Sequence, residues 1–125
     1  SKEGNANAIV FPKTQIEDAP YDFSFSGVKS AVLNYLNGAQ MKGETVVEAD
    51  IAASFQKAVT DVLVDHAMMA VKDFGMNKFA IAGGVASNSL LREVIAPLNP
   101  VFAQPQYSTD NAMGVAVLAH RITEA

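Results

Sequence analysis

The chain contains no cysteine. Neither a disulfide framework nor a thiolate metal site can form, and a reducing cytosolic setting is the natural expectation. No apolar run approaches the ~20 residues of a membrane span. The opening Ser1-Lys2-Glu3-Gly4-Asn5-Ala6-Asn7-Ala8 is polar and lacks the apolar centre of a signal peptide. A cytoplasmic protein without a membrane partner is therefore expected. An initiating methionine is missing as well, which points to a piece of a longer protein. Basic residues are few, nine against thirteen acidic for a formal charge of -4, and they stand singly. No stripe of them could track a phosphate backbone, so if nucleic acid is a substrate its main grip lies elsewhere. Internal repeats and low-complexity segments are absent, and so are G-x-G-x-x-G and G-x-x-x-x-G-K-[ST]. Without His-x-x-x-His or His-Glu-x-x-His, no helix face offers two imidazoles to a metal. Without Gly-x-Ser-x-Gly, hydrolysis by a serine triad is unsupported.

What is present is a chain of 125 residues, half of them apolar, enough for one modest core in one domain or part of one. Ile9-Val10-Phe11-Pro12 reads as a short extended segment, and Pro12 and Pro20 argue against a helix between them. Phe23 and Phe25 alternate with Ser24 and Ser26, as in a short strand or extended turn ended by Gly27. A helix is expected from about Val28 to Leu36, stopped by Asn37-Gly38. The clearest periodicity follows. From Glu48 to Phe74 apolar residues trace one stripe of a long helix, with Lys57, Thr60, Asp61, Asp65, Lys72 and Asp73 on its other side and Gly75 as its stop. Phe55, Met68 and Met69 on that stripe read as ordinary core rather than as a ligand groove.

The stretch Phe79-Ala80-Ile81-Ala82-Gly83-Gly84-Val85-Ala86-Ser87-Asn88-Ser89-Leu90-Leu91-Arg92 reads as buried strand, tight turn and amphipathic helix. Gly83 and Gly84 permit positive φ or close approach of a ligand, and Asn88 or Ser89 is a natural N-cap. Such a turn at the end of a strand lies where α/β domains bind ligands, although many such turns bind nothing. After Pro97, Val101-Phe102-Ala103 looks like a second short strand, and a last helix from Asn111 to about Thr123 is apolar enough to be largely buried. The order of elements favours an α/β lobe, with residues 1–76 a mostly helical layer and 77–125 a strand-helix-strand-helix core containing a parallel pair.

Asp110, after a probable strand and at the mouth of a helix, can cap that helix or project into the crevice beside Gly83 and Gly84, where its hard oxygens would suit a divalent metal. His66 and His120 read as surface or boundary residues. Ser24, Ser26, Gly27 and Lys29 form a compact polar set that suits either a phosphate or a simple capping turn.

Three segments, Tyr21 to Val32, Ala82 to Arg92 and Ser108 to Met113, resemble successive signatures of the bacterial tRNA adenosine threonylcarbamoyltransferase family, TsaD, formerly called glycoprotease or O-sialoglycoprotein endopeptidase. The leader from Gly4 to Pro12 and the stretch Ala49 to Gln56 extend the resemblance over nearly the whole chain. It implies an actin-like, sugar-kinase-like and ribonuclease H-like two-lobed fold, related to heat-shock chaperone ATPases, of which residues 1–125 would be one domain from the C-terminal lobe with an added helical layer. It implies transfer of a threonylcarbamoyl group from threonylcarbamoyl-adenylate to adenosine 37 of tRNAs that read codons starting with A. It also implies one iron or zinc ion held by a histidine pair of the first lobe and by Asp110, a nucleotide (the adenylate, or ATP or AMP) contacted by Asn88, and close backbone approach at Gly83 and Gly84. Partners would be tRNA, a catalytically silent paralogue and a small ATPase. Two departures stand out. The histidine pair and the glycine-rich loops that precede the family's Phe-Pro segment are absent, so this piece should be inactive alone and prone to self-association through its bared face. Arg92 and Ser108 are also closer together than the family usually has them. A non-catalytic scaffold of the same fold and the historical metallo-glycoprotease are the alternative readings.

Overall fold

The structure, a computed structural model, describes residues 3–13, 16, 18–108 and 112–123. It divides into two compact units, Ser1–Asp73 and Phe74–Ala125. The class is mixed α/β, mostly helical with one small parallel sheet.

The first unit is a helical hairpin with an irregular leader laid along it, turned at Asn5–Ala8. Helix α1 spans Phe25–Lys42 and α2 spans Glu48–Asp73. The sequence reading of an extended Phe23–Phe25 segment ended by Gly27, and of a helix stopped at Asn37-Gly38, is corrected at both ends. Phe25 already opens α1, Gly27 sits in its first turn, and Gly38 lies inside it. A glycine inside a helix costs only about 1 kcal/mol, and the next residue, Ala39, is buried. The actual stop is Gly43, whose φ of 67° is left-handed, with its N-H on the Gln40 carbonyl and that of Glu44 on Ala39. That pattern satisfies the last carbonyls of the helix.

Phe11 of the leader, Val28 of α1 and Ile51 of α2 form the buried cluster, with Ile9, Ala31, Val32, Val46 and Ala58 packed around it. Each such side chain contributes about 1.5–3 kcal/mol on burial. Phe11 also meets the Tyr35 ring edge-on at 6.4 Å. The leader is tied to the start of α2 by polar groups. Asn5 N-H donates to Asp50 Oδ1 at 2.7 Å, the Ile9 N-H to Ser54 Oγ at 3.2 Å, and Ser54 Oγ-H to the Asn5 carbonyl at 3.3 Å. Ser54 is 2% exposed. Gly4 packs so closely on α2 that a Cβ there would lie 1.9 Å from the Ala49 carbonyl oxygen. Further along, the Lys13 ammonium pairs with Asp65, whose hydrogen bond and charge hold it above the ordinary lysine range.

Helix α2 ends near the expected residue, with Gly75 at φ 61°. Its burial is broader than one stripe. Thr60 and His66, read as polar flank and boundary, are buried. His66 is covered because Phe23 lays its ring edge-on against the imidazole at 5.1 Å. Its Nδ1 lies 2.7 Å from the Val62 carbonyl, and since a carbonyl only accepts, Nδ1 carries the proton.

In the second unit, β1 (Ala80–Ile81) pairs in parallel with β2 (Val101–Phe102), in register Ala80 to Val101 and Ile81 to Phe102. The bonds Val101 N-H to Phe79 carbonyl, 2.9 Å, and Ala103 N-H to Ile81 carbonyl, 3.3 Å, carry the ladder slightly further. Between the strands lie a 3-10 turn, Gly84–Ser87, helix α3, Ser89–Ile95, and a second 3-10 turn, Ala96–Leu98, that contains Pro97. Leu91 and Ile95 are the buried face of α3. Residues Pro105–Ser108 form a single helical turn, α4, and α5 spans Ala112–Thr123. The expectation that this last helix is largely buried is not met. Val115, Leu118 and Ile122 are 61%, 60% and 69% exposed, because its apolar pattern has no covering layer among the described residues. No helix among those residues is long and apolar enough to cross a membrane.

The leader attachment yields a test. Ser54→Ala removes two hydrogen bonds at a buried point and should cost about 1–3 kcal/mol, while Gly4→Ala should cost at least as much through overlap with Ala49. Hydrogen exchange on the gene product that carries this chain would show the Ile9 amide losing protection in both variants, with the amides of α1 unchanged.

Candidate functional site

The glycine turn is built by backbone geometry before any side chain acts. Leaving β1, the chain reaches Gly83 at φ 96° and ψ 167°, a region open essentially to glycine alone. From there it winds into the 3-10 turn, closed by Ala86 N-H on the Gly83 carbonyl and Asn88 N-H on Val85, each 3.0 Å. A Cβ added at either Gly83 or Gly84 would meet nothing within 4 Å. Gly83 is thus required by its torsion angle, whereas Gly84 keeps an open surface free of side chain.

Asn88 then changes the direction of the chain. Its backbone is extended, and its side-chain Oδ1 accepts the Leu91 N-H at 3.0 Å, which makes it the N-cap of α3. Gly83, Gly84 and Asn88 are therefore brought into one continuous turn beyond β1. Asp110 lies outside the described residues. The single turn α4, which leads toward it, packs against the 3-10 turn, with Ser108 buried and its hydroxyl on the Gln104 carbonyl at 3.3 Å.

Arg92 is the residue that sequence reasoning missed. One helical turn after Asn88, its N-H closes on the Asn88 carbonyl at 3.1 Å, while its side-chain Nε-H donates to the Ala86 carbonyl at 2.6 Å. The guanidinium lies over the Phe102 ring, 4.3 Å from its centroid. The available signal was an arginine four residues from a cap, on a helix followed by a strand with an aromatic residue.

Ser24, Ser26, Gly27 and Lys29 belong to the first unit and occupy the start of α1. Ser24 takes the N-cap position with an extended backbone, although its hydroxyl does not cap the helix. Ser26 and Lys29, three residues apart on one helix face, line a groove of about 730 Å³. Phe25, Leu33, Leu36, Ala52 and Phe55 are among its apolar lining residues, and Glu48 also lines it. Phe55, read as ordinary core, is thus a wall of an open groove.

Comparison with known proteins bears on this geometry. The family model for TsaD, tRNA N6-adenosine threonylcarbamoyltransferase, matches residues 1–117. The chain belongs to this family. It is 50% identical over 126 residues to a tRNA N6-adenosine threonylcarbamoyltransferase of Clostridium beijerinckii, covering 96% of this chain and 37% of that protein. With the protein of the same name from Clostridium novyi it shares 52% over 127 residues, again 96% and 37%. With that of Clostridium botulinum it shares 59% over 95 residues, 76% of this chain and 28% of the relative. The chain spans little more than a third of the length of the curated relatives it matches.

Two glycine variants separate torsion from access. Gly83→Ala should lose about 1–3 kcal/mol through backbone strain, whereas Gly84→Ala should stay within about 0.5 kcal/mol of wild type, both read from urea midpoints. Asn88→Ala should cost about 1 kcal/mol, and Asn88→Asp, which keeps the capping oxygen, much less.

Proposed function

We propose that this chain is the C-terminal part of a TsaD enzyme that transfers a threonylcarbamoyl group from its adenylate to the exocyclic nitrogen of adenosine 37 in tRNAs reading codons that start with A. The observation that carries this reading is the identity of 50% and 52%, held across 96% of the chain, to proteins named for that reaction. The parallel strand-helix-strand unit supports the finer proposal of an actin-like lobe in the longer protein.

In this reading the glycine turn is the nucleotide face. Gly84, with open space where a Cβ would stand, lets the adenylate reach the backbone. Asn88, whose Oδ1 caps α3, is the proposed side-chain contact to the adenylate. In the reaction the N6–carbonyl bond forms, the bond from the carbonyl carbon to the phosphate oxygen breaks, AMP leaves with the electron pair, and N6 releases a proton.

The implied iron or zinc does not fit on the described residues alone. Among them no three His, Cys, Asp or Glu side chains gather to hold a metal ion, and the imidazole of His66 is committed to the Val62 carbonyl. Asp110 is proposed as one of its ligands, with the other donors supplied by the longer protein. tRNA, a catalytically silent paralogue and a small ATPase are the proposed partners, and the exposed apolar face of α5 supports self-association of the isolated piece.

The test uses the full gene product with its partner proteins and the enzyme that makes the adenylate, following labelled threonine into tRNA. Wild type should label the tRNA, and Asp110→Ala should lose at least ~100-fold in rate, the scale expected when a group acting at the reacting centre is removed, while remaining folded. Failure of the wild type where a Clostridium relative succeeds would sink the transferase reading in favour of a scaffold.

A further inference from the structure

The residue with the most unexplained chemistry in the second unit is Arg92. Its Nε-H is taken by the Ala86 carbonyl and its plane lies over Phe102, while Nη2 is buried with no hydrogen-bond partner among the described residues. A buried donor left without an acceptor costs on the order of 1–3 kcal/mol, and more on a charged group. An apolar side chain of similar length would cover the Phe102 ring without that cost.

Geometry gives Arg92 a further task. Ala86 is the 1%-exposed centre of the 3-10 turn, between the open backbone at Gly84 and the cap at Asn88, and Phe102 belongs to β2. One rigid planar group thus joins the turn to the neighbouring strand. The main-chain bond from Arg92 N-H to the Asn88 carbonyl fixes the same residue at the turn's other end. We propose that Arg92 is a positioning residue for the nucleotide-binding turn, holding the backbone of Gly83 to Asn88 at a set distance from β2 so that an adenylate phosphate or sugar meets a preformed surface. Lysine does not substitute for it. An ammonium on a flexible stem keeps the charge but cannot lock the direction of an Nε-H while stacking flat on an aromatic face.

This inference rests on the transferase reading, and its test separates the two. In the full gene product with its partners, Arg92→Lys and Phe102→Leu are compared with wild type by calorimetric binding of AMP and by rate against adenylate and against tRNA. Arg92→Lys should weaken AMP about 10-fold, as expected for a charge-assisted hydrogen bond, and Phe102→Leu about 3-fold, on the scale of a cation–aromatic contact. KM for the adenylate should rise in parallel, with KM for tRNA and kcat within about twofold of wild type, because interactions made equally in ground and transition states move KM alone. A merely structural role gives a different pattern, in which fewer molecules fold, apparent kcat falls and neither KM changes. That pattern, or AMP affinity equal to wild type in both variants, overturns the inference and leaves the transferase reading standing. A wild type that neither binds AMP nor labels tRNA overturns both.

Discussion

Two strands of two residues each supply too few hydrogen bonds to hold a loop in place, and in the second unit side chains make up that shortage. A short parallel pair is marginal by itself, and the turn that leaves β1 begins with a glycine in a conformation no other residue adopts freely. Asn88 fixes the far end of the turn by capping α3, and Arg92 fixes its middle through Ala86 and Phe102. Between these ties, the backbone at Gly84 has open space where a Cβ would stand. The site is thus a property of three side chains acting on a backbone that has little regular structure of its own.

The two units solve the problem of a small core in different ways. The first pins an irregular leader across two long helices, so that Phe11, Val28 and Ile51 close on one another although they come from three separate segments. Among its described residues the second buries the inner face of α3, the centre of the glycine turn and Ser108, and it leaves Val115, Leu118 and Ile122 of α5 in solvent. Large exposed apolar patches mark surfaces that another element covers. A chain that spans about a third of its relatives' length presents such patches at the groove beside Phe55 and along α5.

Much of this was legible in the sequence where a local rule acted alone. The long helix followed from its period and from Gly75, and the strand, turn and helix around Gly83 followed from an apolar run meeting two glycines, although the strand expected to be buried has Ala80 exposed and Ile81 half-buried. Legibility failed where a tertiary partner overruled the local rule. Gly38 looked like a stop, but the helix ran through it to Gly43. His66 looked like a boundary residue because the pattern of α2 cannot show that Phe23, 43 positions earlier in the numbering, packs against it. α5 looked buried because an apolar helix implies a cover without saying which chain segment provides it. Arg92 escaped notice for a related reason, since its importance lies in Ala86 and Phe102 rather than in any motif. Asp110, the sharpest candidate in the sequence, lies outside the described residues.

The leader's attachment also orders events during synthesis. Asn5 and Ile9 are held by Asp50 and Ser54, each 45 positions further along, so the leader leaves the ribosome without a docking surface. At about 5–20 residues per second, it waits for several seconds before the start of α2 is available. During that interval Phe11, buried once the leader docks, remains uncovered.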